Sequence, residues 1–234
     1  MENMRIALLS DIHGNIDALV ACLNSVRKSE CEVLIVSGDI IGYYYDADLV
    51  MEALSDFSYQ FVSGNHEAML SKMIENPETS ISVRGKYGSA LDLALKRLSP
   101  DQIDFLTSSP ITKSILIGGR LFNVSHGSPW SVDDYFYPDT KQESWDKFSN
   151  LPEEVFILGN THHQLLKRQS GKIIVNPGSV GQSRTDPGFA QWAEMDTLNL
   201  EITFKSIPYS TNRLIDLCDE NDPGVEILTR HLRS

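Results

Sequence analysis

Five short apolar runs, each followed at once by a polar turn, constrain the fold of this chain more than any other feature. The runs occupy residues 5–9, 33–36, 59–62, 121–124 and 155–158, and each is followed by Ser or Gly. Short runs of bulky and β-branched apolar side chains are typical of strands that are buried on both faces. The pattern therefore predicts an α/β fold in which polar loops follow buried strands.

Segments with apolar side chains at helical spacing lie between these runs. The predicted helices occupy residues 15–28, 46–54, 66–75 and 88–98. Asp46 is expected to cap the second of them. A further short helix is predicted after Ser99, because Ser99-Pro100-Asp101-Gln102 has the pattern of a capping box with Pro at the first helical position.

The second half of the chain has the alternation that is typical of strands. The alternating segments are residues 165–168, 172–175, 189–195 and 200–207, and they predict an antiparallel meander. With 234 residues and 41% hydrophobic residues, the chain can bury a core as a single domain over residues 1–234. We expect a helical insertion at 84–107 beside the site and a C-terminal tail at 209–234, with a helix at 225–232.

The turns after the predicted strands carry side chains that bind metal ions. In chain order they are Asp11-Ile12-His13-Gly14-Asn15, Gly38-Asp39, Gly64-Asn65-His66-Glu67, His126-Gly127 and Gly159-Asn160-Thr161-His162-His163. In open α/β sheets, the loops at the carboxyl ends of strands converge on one rigid edge. These side chains are therefore expected to meet in space.

The residue types suit a site for two divalent ions. One ion is expected to be held by Asp11, His13 and His162. The other is expected to be held by Asn65 and His126, with Asp39 bridging both ions. Oxygen and nitrogen ligands without thiolate favour manganese, iron, cobalt, nickel or zinc over a sulfur-bound structural zinc.

The ordered series D-x-H-G-N, G-D, G-N-H-E, H-G and G-x-T-H resembles that of the calcineurin-like metallophosphoesterases. The turn at residues 176–182, which begins Asn-Pro-Gly-Ser, resembles a turn of the small bacterial and archaeal phosphodiesterase branch. The matching motifs run from residue 4 to about residue 196. The resemblance implies a two-sheet β-sandwich flanked by helices in four αββα layers, and a dinuclear metal site. It also implies hydrolysis of a phosphodiester or phosphomonoester by a hydroxide that bridges the metals.

The chain departs from this pattern at Asn160. Proteins of this type usually carry G-H-T-H, whereas this chain has Gly159-Asn160-Thr161-His162. An amide oxygen is a weaker ligand than imidazole for a borderline transition metal. Asn160 is therefore either a weak ligand of the second ion or an ordinary turn residue, and His163 is expected to be structural or to line the rim.

Two residues next to the predicted ligand Asn65 suit proton transfer. His66 is expected to be the general acid that protonates the leaving group, and Glu67 is expected to orient its imidazole and keep it protonated. For the substrate, Arg184 is either a phosphate clamp or a surface ion pair. Trp130 and Tyr135, which follow His126, either wall the cleft for an aromatic group or pack their own loop. The Asn-Pro-Gly-Ser turn either contacts the site or is only a tight turn.

Charge and composition restrict the partners. The formal net charge is −12 and there is no basic run, which argues against binding a nucleic-acid polymer. A small phosphate ester, with a nucleotide as one candidate, remains compatible because bound cations reverse the local field. No stretch approaches the length of a membrane span, and three cysteines without metal-ligand spacing indicate reduced thiols in the cytoplasm.

Three functions are consistent with these residues. The first is a metal-dependent phosphodiesterase or phosphatase. The second is a catalytically reduced scaffold of the same fold, like the retromer subunit that resembles this family, and the third is a phosphoprotein phosphatase. Because a pure scaffold does not need His66, its presence favours the enzyme, whereas Asn160 favours the scaffold.

Overall fold

The computed structural model describes residues 4–233 and contains two five-stranded sheets. The strands are β1 (Arg5–Leu9), β2 (Val33–Val36), β3 (Tyr59–Phe61), β4 (Thr112–Ile117), β5 (Arg120–Ser125), β6 (Val155–Ile157), β7 (Gln164–Gln169), β8 (Lys172–Pro177), β9 (Phe189–Asp196) and β10 (Ile202–Pro208). The helices are α1 (Ile16–Lys28), α2 (Ala47–Ser55), α3 (Asn65–Glu75), α4 (Thr79–Tyr87), α5 (Ala90–Arg97), α6 (Pro100–Ser108), α7 (Gln142–Asp146), α8 (Asn212–Asn221) and α9 (Glu226–Arg230). A 3₁₀ turn at Lys147–Asn150 follows α7.

Each sheet contains three adjacent parallel strands. The first sheet has the order β10-β9-β1-β2-β3, in which β1, β2 and β3 are parallel. The second has the order β4-β5-β6-β8-β7, in which β5, β6 and β8 are parallel. The parallel strands of each sheet end at one edge, and the loops that follow β1, β2, β3, β5 and β6 form the site described below.

The core lies on both faces of each sheet. Leu8 and Ile35 of the first sheet pack against Val124 and Ile157 of the second. On the outer face of the first sheet, Ala7 and Leu9 pack in a cluster with residues of α1, α2 and α3. On the second sheet, the outer cluster includes the following large side chains: Phe136, Trp145, Phe148 and Phe156. The predicted four-layer αββα sandwich is therefore confirmed.

Most of the predicted elements lie within two residues of their expected bounds. The capping box at Ser99 is present, since the Ser99 hydroxyl accepts from Gln102 N and the Gln102 amide oxygen accepts from Ser99 N. Asp46 stands before α2, but its side chain does not cap that helix. Its carboxylate instead pairs with Arg213, at 2.5 Å, and so ties α2 to α8.

The predicted single meander after residue 164 is wrong. It is two hairpins in different sheets: β7 and β8 pair in the second sheet, and β9 and β10 in the first. Alternation shows that a segment is half-buried but does not show which sheet it joins. The expected helix at 225–232 is present as α9, whereas β4, α4, α7 and α8 were not predicted.

Both segments that were expected to stand apart from the sandwich contain helices. Residues 84–107 include α5 and most of α6, and residues 209–234 include α8 and α9. The division into a domain, an insertion and a tail remains a prediction. Among residues 4–233, none of the helices has the length and hydropathy needed to cross a bilayer.

The chain between β8 and β9 passes very close to the end of β1, and this contact makes a testable prediction. A Cβ on Gly181 would lie 1.9 Å from the Ile12 carbonyl oxygen, whereas a Cβ on Gly85 in α4 would meet open space. Gly181→Ala should destabilise the fold by about 1–3 kcal/mol. Gly85→Ala should stabilise it by about 0.5–1 kcal/mol, since it lowers the entropy of the unfolded chain. Urea unfolding of both variants measures this, and equal effects would contradict the close approach.

Candidate metal centre

The predicted ligands meet in one buried cluster between the two sheets. Asp11 and His13 follow β1, Asp39 follows β2, and His126 and His162 follow β5 and β6. Each of these residues is at most 2% exposed. The site therefore needs both sheets, because the first supplies the carboxylates and the second supplies two of the imidazoles.

The distances join these side chains into a single centre. Asp11 Oδ1 lies 3.2 Å from His162 Nε2 and 3.6 Å from His13 Nε2. Asp39 Oδ2 lies 3.2 Å from His126 Nε2 and 3.8 Å from His13 Nε2. Three overlapping triads have ligand atoms near enough to hold an ion, namely Asp11-His13-His162, Asp11-Asp39-His126 and His13-Asp39-His66.

Hydrogen bonds to backbone carbonyls set the direction of three imidazoles. Nδ1 of His13 lies 3.2 Å from Ile41 O, that of His126 lies 2.8 Å from Ser37 O, and that of His162 lies 2.7 Å from Gln182 O. A carbonyl only accepts, so each Nδ1 carries a proton, and the Nε2 atom of each ring is turned toward the carboxylates, where it offers a lone pair whenever the ring is neutral. His13 Nε2 and His162 Nε2 are 3.1 Å apart. Such lone pairs repel unless a cation lies between them, and this is the usual arrangement of histidine ligands.

Several buried polar atoms of the centre lack an ordinary hydrogen-bond partner within residues 4–233. Asn65 Oδ1 has none, while Asp11 Oδ1 and His126 Nε2 face only the ionisable groups of other predicted ligands, at 3.2–3.9 Å. Buried polar atoms are rarely left without a partner, since desolvation is costly. Because all three belong to predicted ligands, the residues present fit a divalent cation.

The backbone at these ligands is strained. Asp11, His13, Asp39, Asn160 and His162 have φ between 53° and 66°, in the left-handed region that residues other than glycine rarely adopt. Such strain is of order 1–3 kcal/mol for each residue and persists where the surrounding structure enforces it. Several of these strained residues lie together at this centre. This indicates that the fold fixes the directions of their side chains at a cost in conformational energy.

The expected role of Glu67 as the partner of His66 is not supported. Within the described part of the chain, the Glu67 carboxylate accepts hydrogen bonds from the backbone N–H groups of Gly64, Asp39, Ile40 and Ile41, at 2.8–3.2 Å, and none from His66. Glu67 therefore ties the start of α3 to the loop of Asp39. Burial and the charge of Asp39 raise the pKa of Glu67 to about 7, although these N–H groups oppose the shift.

His66 lies at the centre but is not held as a cation. Its Nε2 is 4.0 Å from Asp39 Oδ2, and its backbone N–H donates to Asp39 Oδ1. Burial lowers the pKa of His66 to about 3, because the attraction of Asp39 does not offset desolvation and the neighbouring histidines. The expectation that Glu67 keeps this ring protonated is therefore wrong, since Glu67 does not face it.

Tyr43 is a residue of the centre that the motif analysis did not assign. Its ring centroid lies 4.6 Å from that of His13 and 4.8 Å from that of His66. Its own φ is 54°, and a Cβ on the preceding Gly42 would lie 2.0 Å from His66 Nδ1. Residues 42 and 43 thus confine the His66 ring. A glycine beside a tyrosine in a polar turn was the only signal in the sequence.

The structure turns the side-chain nitrogen of Asn160 away from the metal ligands. Asn160 Nδ2 donates to Asp134 O at 3.0 Å and to Val132 O at 3.4 Å, while its backbone N–H donates to Asp11 Oδ2. His163 lies beside it, half-buried, with its ring 5.4 Å from that of Tyr137. These contacts engage the two N–H groups of Asn160, whereas an ion would be bound through Oδ1, so both alternatives for Asn160 stay predictions.

The turn at residues 176–182 supports the ligand loops. Asn176 Nδ2 donates to Gly159 O and Thr161 Oγ1, next to His162. The Ser179 hydroxyl donates to Asp11 O, and Gln182 O faces His162 Nδ1. The turn therefore positions both ligands through backbone contacts, and the support from Gln182 had no signal in the sequence.

The three predicted substrate residues have different surroundings. Arg184 is half-buried, and among residues 4–233 no carboxylate forms an ion pair with it. Burial raises the pKa of Tyr43, but the nearby Arg184 guanidinium opposes this shift. Tyr135 is 49% exposed, and burial raises its pKa against the same guanidinium. The Trp130 ring packs edge-on against Phe148 at 5.0 Å.

The charges within the centre favour ionised carboxylates and one protonated imidazole. Burial opposes ionisation of Asp11, but the neighbouring histidines His162 and His126 outweigh it and hold the pKa of Asp11 well below its usual value. The pKa of Asp39 is lowered in the same way, chiefly by His126. Burial works against protonation of His126, yet Asp39 and Asp11 raise its pKa to about 10.

Loading this centre with a divalent metal should therefore release a proton. At pH 7.5 the free protein holds a proton on His126, and a metal needs that lone pair. Metal affinity should rise with pH by about tenfold per unit below pH 10, because the competing proton is lost. Calorimetric titration with Mn²⁺ or Zn²⁺ in buffers of different ionisation enthalpy counts the protons released.

Two variants provide the control for this count. His126→Gln should release about one proton fewer, whereas His163→Gln, at the rim, should leave the count unchanged. A proton count that is the same in His126→Gln as in the unmodified protein would contradict the assignment of His126.

Comparisons with known proteins agree with this geometry. The chain is 27% identical to an uncharacterized protein of Methanocaldococcus jannaschii over 94% of each chain. It resembles a hypothetical protein of Pyrococcus horikoshii with a TM-score of 0.86, 20% identity, and coverage of 98% of this chain and 99% of the other. It also resembles a metallophosphoesterase of Sphaerobacter thermophilus with a TM-score of 0.79, 24% identity and 98% coverage of both chains. The family model of the calcineurin-like phosphoesterase superfamily domain matches residues 4–198, and the chain therefore belongs to this superfamily.

Proposed function

We propose that this protein is a metal-dependent phosphoesterase that hydrolyses a small phosphodiester or phosphomonoester. The single observation that carries the proposal is the convergence of the Nε2 atoms of His13, His126 and His162 on two buried carboxylates. The membership of the phosphoesterase superfamily supports the reaction class. A nucleotide is one candidate substrate, and the cytoplasm is the proposed location.

The donor atoms are sufficient for two ions. Asp11, His13 and His162 would hold the first, while Asn65 and His126 would hold the second, with Asp39 shared between them. Manganese, iron, cobalt, nickel and zinc all suit this donor set. When bound, such ions lower the pKa of water and neutralise the charge that develops on the phosphoryl oxygens.

His66 is proposed to supply the proton that the leaving alkoxide needs. Its ring is confined by Gly42 and Tyr43 and faces the carboxylate of Asp39. Burial keeps it neutral in the free protein, but the negative charge of a phosphate ester beside the ring would raise its pKa and favour the imidazolium. Binding of the substrate would then favour the His66 imidazolium that protonates the leaving group of that substrate.

Arg184 is proposed to hold the phosphate group. Its guanidinium lies near Tyr43, whose ring touches His66, and it has no carboxylate partner within the described residues. A planar guanidinium matches two phosphate oxygens at once. It would therefore orient the ester toward His66.

A scaffold without catalysis is the second candidate. The observation in its favour is that Asn160 donates to backbone carbonyls of the neighbouring loop instead of adding an imidazole to the second ion. The buried Asn65 Oδ1, which has no hydrogen-bond partner within residues 4–233, favours the enzyme, because a scaffold gains nothing from that desolvated oxygen. A phosphoprotein phosphatase remains the third alternative.

Hydrolysis by the metal-reconstituted protein tests the proposal. The chain should cleave bis(4-nitrophenyl) phosphate or 4-nitrophenyl phosphate with added Mn²⁺ and lose this activity on chelation. Asp39→Asn should lower kcat by about 100-fold or more, because it removes a shared charge. Asp104→Asn on the exposed face of α6 is the matched control. Metal binding without hydrolysis of either ester would reject the enzyme in favour of the scaffold, and preference for phosphopeptides would favour the third alternative.

His66→Asn should separate proton transfer from metal binding. The variant should keep its metal content and lose about 10²–10⁴-fold in kcat, as expected for the loss of a general acid. The loss should be larger for alkyl than for 4-nitrophenyl leaving groups, since a poor leaving group depends more on protonation. Metal analysis and kcat for both ester types measure this. Loss of an ion from His66→Asn would show that His66 is a ligand.

A further inference from the structure

The loop that follows the ligand His126 is folded tightly back on itself. A Cβ on Gly127 would lie 2.6 Å from Ser131 O and Val132 O and 2.7 Å from Asp134 N. Ser128 N donates to Ser131 O at 2.8 Å, and the Ser128 hydroxyl donates to Asp134 Oδ2 at 2.5 Å. The segment from Gly127 to Asp134 is therefore a fixed turn.

Asn160 ties this turn to the metal centre. Its Nδ2 donates to the carbonyl oxygens of Asp134 and Val132, and its backbone N–H donates to Asp11 Oδ2. Asn160 is 4% exposed, so these bonds are shielded from water. A primary amide has two N–H donors for two carbonyls, whereas a neutral imidazole has only one. Asparagine thus satisfies contacts that the histidine of the G-H-T-H pattern would leave partly unpaired.

The residue directly after this anchored turn is Tyr135. Its ring is 49% exposed and lies 5° from parallel to the ring of Tyr137, with centroids 6.3 Å apart. The Tyr137 ring is in turn packed edge-on against His163, at 5.4 Å, in the loop of Asn160. The loop therefore presents an aromatic face that is held in place rather than free to turn.

The aromatic face lies next to the metal centre, because Asn160 donates both to Asp134 O, beside Tyr135, and to Asp11 Oδ2. Burial raises the pKa of Tyr135 and that of Tyr43, and the Arg184 guanidinium opposes both shifts, while the Tyr43 ring touches those of His13 and His66. An anion held by Arg184 and a planar ring resting on Tyr135 would therefore belong to the same small molecule. A phosphate ester with a heteroaromatic ring combines these two groups.

We propose that Asn160 is a positioning residue that anchors the loop of Asp134 so that Tyr135 stacks on the base of a nucleotide-like phosphate ester. Asn160 thereby acts through the loop and not as a ligand of the second ion. The inference rests on the proposed function for the location of the phosphate group, and it deepens that function by naming a class of substrate.

Direct binding of adenosine 5′-monophosphate to the Mn²⁺-loaded protein tests the stacking face. Tyr135→Leu should weaken its Kd by about 5- to 150-fold, the range expected when one stacked base loses its aromatic partner. Tyr135→Phe should retain the affinity. Inorganic phosphate should bind all three proteins alike, and Phe105→Leu, at an exposed aromatic residue of α6, should leave both affinities unchanged. Unchanged binding of the nucleotide to Tyr135→Leu would overturn the proposal.

Asn160→Ala separates a loop anchor from a metal ligand. The variant should weaken the nucleotide Kd as Tyr135→Leu does, while the metal stoichiometry and the affinity for inorganic phosphate stay unchanged. The double variant should be no weaker than Tyr135→Leu alone, because both changes remove the same contact. Loss of one metal ion from Asn160→Ala, or additive losses in the double variant, would overturn the assignment.

A hydrolytic comparison distinguishes this proposal from the one on which it rests. Thymidine 5′-(4-nitrophenyl phosphate) and methyl 4-nitrophenyl phosphate share a leaving group, and only the first carries a base. Tyr135→Leu should raise KM for the first alone and leave kcat unchanged. Hydrolysis of neither ester, with binding of the nucleotide still dependent on Tyr135, would reject the enzyme and retain the stacking face. Equal KM changes for both esters would reject the stacking face and retain the enzyme.

Discussion

The structure depends on the ionisable groups that are crowded together at its buried centre. Two carboxylates and the Nε2 atoms of three imidazoles converge there, and His13 Nε2 lies only 3.1 Å from His162 Nε2. Burying these groups is costly, because they are desolvated and the two carboxylates repel each other. The surrounding backbone nevertheless enforces the arrangement, through left-handed φ angles at four of the ligands and carbonyl acceptors at the Nδ1 atoms of His13, His126 and His162. A bound divalent cation would offset this cost.

This centre also couples the two sheets. Asp11 and Asp39 follow strands of the first sheet, and His126 and His162 follow strands of the second. A metal that binds all four would therefore join the two sheets at the edge where their ligand loops meet. Glu67 reinforces the same edge, because its carboxylate accepts backbone N–H groups from the Asp39 loop and the start of α3. Metal affinity and the stability of the sandwich are linked for this reason.

The sequence predicted what is encoded locally. A buried parallel strand and the polar turn after it are contiguous in the sequence. The strands β1, β2, β3, β5 and β6 and the ligands that follow them can therefore be predicted from short segments. Contacts between distant segments cannot be predicted in this way. The partition of the last four strands between two sheets is one example. The bonds from the Asp39 loop to Glu67 and from Asn160 to the Asp134 loop join residues more than 20 positions apart. The contact of Tyr43 with His13 and His66 was not predicted, because it depends on the left-handed backbone at Gly42 and Tyr43.

The location of bound metal tests the central claim most directly. Crystals of the protein grown with excess Mn²⁺ and measured near the manganese absorption edge would show each ion as an anomalous difference peak. The account predicts a peak between the carboxylates of Asp11 and Asp39, within bonding distance of His13 and His162, and a second peak beside His126 and Asn65. A map without a peak between Asp11 and Asp39, with their carboxylates turned apart, would contradict it.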